Sequence, residues 1–276
     1  MKYKLIALDL DGTLLSDDGT IPEENIKQLV KFSQSGGIVV LSSGRMTDCI
    51  VPFAEVLGID CPVIAYNGAM VRLKKVENRR IIYHNPLPSR ASDEIIDYCI
   101  KHRFFLNFYL DDVLYADESE ELRKYAEIYS RQTGAVYHFI RNISLMKGKS
   151  PTKLILITDV ENEARFRTRD FQYEYFFGYF HNKQVKIIKT NPEYLEFING
   201  STDKGVALKK ISEYYNIAEE QIISMGDGNN DIDMFKYSGI SAVPSNAKEE
   251  VKKYADVILP WDNNSAAVGN FLREIL

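Results

Sequence analysis

Apolar residues fall in short continuous runs along the first seventy positions, and each run ends at a polar or glycine-bearing stretch. "KYKLIALDL" (2–10) reads as a buried strand closed by a turn signal. "PEENIKQLVKFSQSG" (22–36) opens with Pro22 and two acids, spaces Ile26, Leu29, Val30 and Phe32 as a helix does, and stops near Gly36. "GIVVLSSGR" (37–45) predicts a second apolar strand. "MTDCIVPFAEVLG" (46–58) predicts a helix in which Pro52 marks a kink or a late start. "PVIAYNGA" (62–69) predicts a third strand. Continuously apolar strands alternating with helices point to a parallel sheet covered on both faces.

Near residue 83 the texture changes. "FFLNFYLDDVLYAD" (104–117) and "FFGYFHNKQVKIIKT" (176–190) are aromatic and turn-linked, as antiparallel hairpins are. Helical patterns at 89–103 and 118–134 alternate with them, and 150–172 reads as a strand followed by a helix. After "NPEYLEFING" (191–200) the first style returns. "DKGVALKKISEYY" is a helix, "QIISMGD" a strand and "NDIDMFKYSG" a helix; "GISAV", "NAKEEVKKYA", "DVILP" and an amphipathic helix follow. The expectation is an α/β protein, a doubly wound, Rossmann-like parallel-sheet core in two segments (1–84 and 191–276) interrupted by an inserted α+β domain (85–190).

Composition narrows the classes. A net charge of −5 argues against a nucleic-acid surface, which needs a basic field. No apolar run approaches the ~18 residues of a membrane span, and the amino-terminal stretch is too soon acidic for a signal peptide. Three cysteines without metal-type spacing suit a reducing, cytoplasmic setting.

The chemistry sits where strands end. Asp9 and Asp11 close the first strand, Ser42 and Ser43 the second, Asn67 the third, and Asp227 and Asp231 follow the strand before "GDGNND". In open parallel sheets, ligands bind outside the carboxyl ends of the strands. Taken singly, each group has a plainer reading. Gly12, Gly68 and Gly228 are turn glycines, and Ser43 is a helix N-cap for "RMTDCIV". Lys204 ahead of a helix is a solvated charge, and Asp227 and Asp231 complement a helix dipole. "DGNNDID" is no EF-hand, since Ile232 stands at its sixth position and Ser238 at its twelfth. Together, the acids need a cation. Oxygen-only donors favour a hard ion such as Mg²⁺, which commonly works beside a phosphate.

These motifs resemble the haloacid dehalogenase superfamily of aspartate-nucleophile phosphatases, in its Cof-type branch with a large α/β cap. "DLDGT" (9–13), "SSGR" (42–45), "DKGVAL" (203–208) and "GDGNND" (226–231) match its four motifs in order, and "YNGA" (66–69) and "SNAKEEVKKYAD" (245–256) are similar to that branch. Ser43 stands where the branch commonly has threonine. The resemblance implies Asp9 as nucleophile and Asp11 as acid–base. It implies Mg²⁺ held by Asp9, the main-chain carbonyl of Asp11 and Asp227, with Asp231 orienting Lys204 or a metal water. Ser43, the Gly44 N–H, Lys204 and Asn230 would bind the phosphoryl group; Arg45 would contact the substrate or be a surface charge, and Asn67 would shape the pocket or support the Gly68 turn. The inserted domain would act as a lid over small phosphorylated metabolites, sugar phosphates first. Two other readings stand beside hydrolysis: a phosphomutase, and a non-catalytic binder of phosphorylated ligands.

Overall fold

The computed structural model describes residues 2–73, 80–159, 165–180 and 184–275. Two compact units emerge, residues 1–84 with 203–276 and residues 85–202.

The first segment of the larger unit runs β1 (Leu5–Asp9), α1 (Glu23–Gln34), β2 (Ile38–Ser42), α2 (Val51–Leu57), β3 (Val63–Ala65), β4 (Met70–Arg72) and β5 (Ile81–His84). Helix α1 carries Glu23 and Glu24 in its first turn, where the helix dipole favours negative charge. Pro52 gives α2 its late start: a 3₁₀ turn (Thr47–Cys49) precedes it and Pro52 occupies its first turn, where the missing N–H costs nothing.

The inserted unit holds α3 (Ser89–His102), β6 (Phe105–Leu110), β7 (Val113–Asp117), α4 (Arg123–Thr133), β8 (Tyr137–Ile140), β9 (Lys153–Ile157), α5 (Arg169–Phe180), β10 (Val185–Lys189) and β11 (Tyr194–Asn199). Its strands are ordered β10-β11-β9-β6-β7-β8 and antiparallel except for β7 beside β8. Asp111 and Asp112, both at positive φ, make the two-residue turn joining β6 to β7. Leu106, Phe108, Leu154, Leu156, Leu195 and Phe197 pack on α3 and α5. On the opposite face the Tyr109 and Tyr129 hydroxyls lie 2.6 Å apart and the Tyr137 hydroxyl donates to Asn107.

The second core segment supplies α6 (Lys204–Tyr215), β12 (Ile222–Met225), α7 (Ile232–Lys236), β13 (Ile240–Val243), α8 (Glu249–Lys252), β14 (Val257–Ile258) and α9 (Ala267–Ile275). Among the described residues the core sheet has eight strands in the order β14-β13-β12-β1-β2-β3-β4-β5. It is parallel from β14 to β3. The chain winds outward from β1 through β2 and β3 on one side and from β12 through β13 and β14 on the other, so the winding reverses beside β1. That reversal is where a doubly wound sheet opens a crevice. Leu5, Ala7, Val40 and Ile64 pack against Ala207, Leu208 and Ile211 of α6 on one face.

Three expectations need correction. The third strand ends at Ala65, and after a 3₁₀ turn at Tyr66–Gly68 the chain doubles back into an antiparallel pair, β4 and β5, that extends the sheet edge. Of the stretch 176–190 read as a hairpin, residues 176–180 are the end of helix α5 and 181–183 lie outside the described residues: the rings of α5 occupy nearly every register, so alternation and helical spacing are both present. Phe176 and Phe180, four apart, are buried with Gln172, while Tyr175, Phe177 and Tyr179 are exposed. Last, the inserted unit continues to 202, because β10 pairs with β11 and β11 with β9. Part of the strand-then-helix reading at 150–172 falls on 160–164, outside the described residues. No helix among the described residues is long and apolar enough to cross a membrane.

Candidate active site

The strand register brings the sequence's conspicuous polar groups to one edge. Asp9 lies opposite Ser42 and Leu8 opposite Met225, so the residues following β1, β2 and β12 leave the sheet at one level. All belong to the larger unit.

Lys204 is the centre of this edge. Asp203 caps α6 by accepting the Val206 N–H at 2.7 Å, and Lys204, the first helical residue, is wholly buried. Its ammonium is 2.5 Å from Asp9 Oδ1 and 2.6 Å from Asp231 Oδ1. The plain reading of Lys204 as a solvated charge therefore fails. Asp231 Oδ2 accepts the backbone N–H groups of Asp227 (3.2 Å) and Gly228 (3.0 Å), so both of its oxygens are engaged. Asp227 accepts from the Thr13 hydroxyl at 3.4 Å. Gly12, at φ +78°, lets the turn after β1 pass over this carboxylate: a Cβ there would stand 2.6 Å from Asp227 Oδ2.

Oxygens of Asp9, Asp227 and Asp231 all lie within 4.8 Å of one another. Three clustered carboxylates face one lysine, and the electrostatics follow. Burial, then the charge of Asp231, pushes the Asp9 carboxyl well above the ordinary carboxylate range, though Lys204 opposes this. Burial and Asp231 likewise push Asp227 up to about 6. For Lys204, burial disfavours the charge, but Asp231 and Asp9 more than offset it and hold the ammonium protonated. The cluster has surplus negative charge and only hard oxygen donors, which suits a divalent cation of the Mg²⁺ type. Because Asp231 is committed to Lys204 and two N–H groups, Asp9 and Asp227 are the carboxylates better placed to take one.

The second loop lies alongside. Ser43 N–H donates to Ile64 O (2.9 Å), and the Ser43 carbonyl accepts from Asn67 N–H (3.0 Å). The Ser43 hydroxyl accepts the Arg45 N–H at 3.2 Å, closing a tight turn, so it caps no helix; the 3₁₀ turn that follows is preceded by Met46. Asn67, in the left-handed region at φ 56°, accepts from Asn230 Nδ2 at 3.0 Å and lies against Gly44. Asn67 thus ties the loop holding Ser43 and Gly44 to the loop holding Asn230.

Asp11 points elsewhere. Its carboxylate is largely exposed and gripped by Arg45, with Nε at 3.1 Å and Nη2 at 2.5 Å. It stands apart from the three-carboxylate cluster, and Arg45 is no free surface charge. Sequence reasoning assigned no role to Thr13 or Asn246, although "DLDGT" and "SNAKEEVKKYAD" contain them; Asn246 Nδ2 donates to Gly12 O at 2.8 Å.

Comparisons with known proteins bear on the chain as a whole. A family model described as haloacid dehalogenase-like hydrolase matches residues 6–272. The chain is similar to the 5-amino-6-(5-phospho-D-ribitylamino)uracil phosphatase YitU of Bacillus subtilis, 26% identical over 280 residues covering 99% of this chain and 97% of the relative. It is also similar to the pyridoxal phosphate phosphatase YbhA of Escherichia coli, 24% identical over 286 residues, covering 99% and 98%. Among solved structures, that of TM0651 from Thermotoga maritima superposes with a TM-score of 0.87 at 33% identity, covering 99% of this chain and 98% of that one.

Proposed function

The chain belongs to the haloacid dehalogenase-like hydrolase family, and from that premise we propose that it is a Mg²⁺-dependent phosphatase. Its substrates are small phosphorylated metabolites, with sugar phosphates foremost, and Asp9 is the nucleophile. The observation that carries this reading is the buried contact of Asp9 with Lys204, in a cluster with Asp227 and Asp231, at the point where the sheet reverses its winding.

Asp9 attacks phosphorus and the phosphorus–oxygen bond to the leaving group breaks, giving an aspartyl phosphate; water then attacks that phosphorus and restores the carboxylate. Lys204 neutralises oxygen charge beside the nucleophile, and Asp231 holds the ammonium in place. Ser43, the Gly44 N–H and Asn230 bind the remaining phosphoryl oxygens, where preformed donors lower the barrier most. Asp11 gives a proton to the leaving oxygen and later accepts one from water. That role follows release of its carboxylate from Arg45, whose guanidinium is then available to the substrate's charge. Mg²⁺ would be held by Asp9, the Asp11 carbonyl and Asp227, and when bound it neutralises the cluster and the phosphoryl oxygens. Substrate choice is assigned to the inserted unit. The relatives named as phosphatases of a ribitylamino-uracil phosphate and of pyridoxal phosphate support small phosphomonoesters as the class.

The test is a panel of phosphorylated metabolites with Mg²⁺ or with excess chelator. The proposal expects inorganic phosphate released in proportion to substrate consumed, and only with metal. Phosphoryl transfer to a second hydroxyl without phosphate release would instead indicate a mutase. Binding without turnover would indicate a sensor.

A further inference from the structure

The turn that follows the nucleophile strand is a single tight coil. The N–H groups of Thr13, Leu14 and Leu15 all reach the Leu10 carbonyl, at 3.3, 3.0 and 2.9 Å. The coil stops at Leu15 and the chain passes into a separate turn at Ser16–Gly19, so the later carbonyls of the coil lack the partners that a continuing helix would supply. Asparagine side chains from three distant places provide them. Asn246 donates to Gly12 O at 2.8 Å, Asn25 to Leu14 O at 3.1 Å and Asn263 to Leu15 O at 3.0 Å. Asn25 and Asn263 are buried, and their role in holding the coil is part of the core. Asn246 is exposed, yet its amide is oriented: Oδ1 accepts the Asn263 N–H at 3.0 Å, which leaves Nδ2 facing Gly12.

Gly12 lies between Asp11, the proposed acid–base, and Thr13, which donates to Asp227. The clearance over Asp227 requires a glycine here, and a glycine is the pivot with least resistance to rotation. An external hold on its carbonyl therefore restrains the backbone from which Asp11 projects, while Arg45 holds the Asp11 carboxylate itself. We propose that Asn246 is a positioning residue for Asp11, acting through the Gly12 carbonyl. This rests on the reading of Asp11 as the acid–base.

The experiment compares a phosphomonoester with a poor leaving group, glycerol phosphate, with p-nitrophenyl phosphate, whose leaving group needs no proton. Four proteins are used: wild type, Asn246→Ala, Asp11→Asn and the double variant. Misplacing a reacting group by about 1 Å costs about 10²-fold in rate. Asn246→Ala is expected to lose up to that factor in kcat on glycerol phosphate with little change in KM. It should lose much less in the nitrophenol-releasing step, and nothing further in the Asp11→Asn background. Removing an exposed side chain leaves no cavity, and Asn246→Asp supplies a second check: it keeps the oxygen that accepts from Asn263, loses the donor to Gly12, and must reproduce the loss. Equal losses on both esters, an additive loss in the double variant, or full activity in Asn246→Asp would each overturn the proposal. If Asp11→Asn itself loses equally on both esters, the acid–base assignment fails, while the double variant still decides whether Asn246 acts through Asp11.

Discussion

A lysine that is wholly buried between two carboxylates is a commitment that a sequence can hide. Lys204 alone reads as a helix-start charge, and only the strand register reveals that it compensates Asp9 and Asp231 at once. Removing one partner of a buried ion pair costs about 3–5 kcal/mol, because the other charge stays behind without water. Lys204→Met should therefore lower stability by that order in chemical denaturation of the metal-free protein, and abolish turnover as well. A near-neutral effect would mean that the ammonium does not compensate these carboxylates in the folded state. The acidic cluster also fixes a pH dependence. Asp227 holds its proton up to about 6 in the fold against an ordinary value of 3.8, and Asp9 shifts the same way. A folded group with raised pKa contributes stability below its unfolded pKa and loses it as pH rises through the folded one. The metal-free protein should thus lose that contribution between 3.8 and about 6. Mg²⁺ binds the ionised forms, so the rise in Tm on adding Mg²⁺ should be larger at about pH 7 than at about pH 5. Thermal melts at the two pH values check this, and an equal or reversed shift would remove the carboxylates as the metal's ligands.

At the scale of elements, what the sequence shows and what it hides have physical causes. Asp9, Asp11, Ser43 and Asp227 stood out because an apolar strand that ends in polar groups breaks its own pattern. Strands β1, β2 and β12 and helices α1, α3, α4 and α6 carry unmixed periodicities and appear where expected. Strands β4 and β5 are hidden because Asn67 and Gly68 reverse the chain within one turn, leaving strands of three and four residues, too short for a period. Helix α5 was hidden because its aromatic residues satisfy two periods. The contacts of Asn246 and Asn263 were hidden because a side-chain bond to a carbonyl more than 200 positions away leaves no local trace. The turn at Tyr66–Gly68 matters most for the site. Gly68 sits at φ +102°, and a Cβ there would stand 2.1 Å from the Asp203 carbonyl, at the start of the helix that delivers Lys204. Gly68→Ala should force α6 to shift and lose stability by about 1–3 kcal/mol from backbone strain alone. Its kcat should fall with it, measured beside a melt; an unchanged kcat would separate the turn from the placement of Lys204.

At the scale of the molecule, the core unit alone holds every group assigned to the chemistry, and the inserted unit holds none of them. This division predicts where substrate preference resides. Substitutions in residues 85–202 should reorder kcat/KM among sugar phosphates and pyridoxal phosphate while leaving p-nitrophenyl phosphate hydrolysis nearly unchanged. A uniform loss on all of them would deny the inserted unit a part in specificity. The central claim, that Asp9 carries the phosphoryl group, is tested most directly by trapping it. The Asp11→Asn variant, with Mg²⁺ and a phosphomonoester labelled in its phosphoryl group, is quenched in acid within the first turnover and digested. The account predicts the label on the peptide that contains Asp9, and none on the same peptide from a protein that also carries Asp9→Asn. Phosphate released at full rate by Asp9→Asn, or label bound to any other residue, would contradict it.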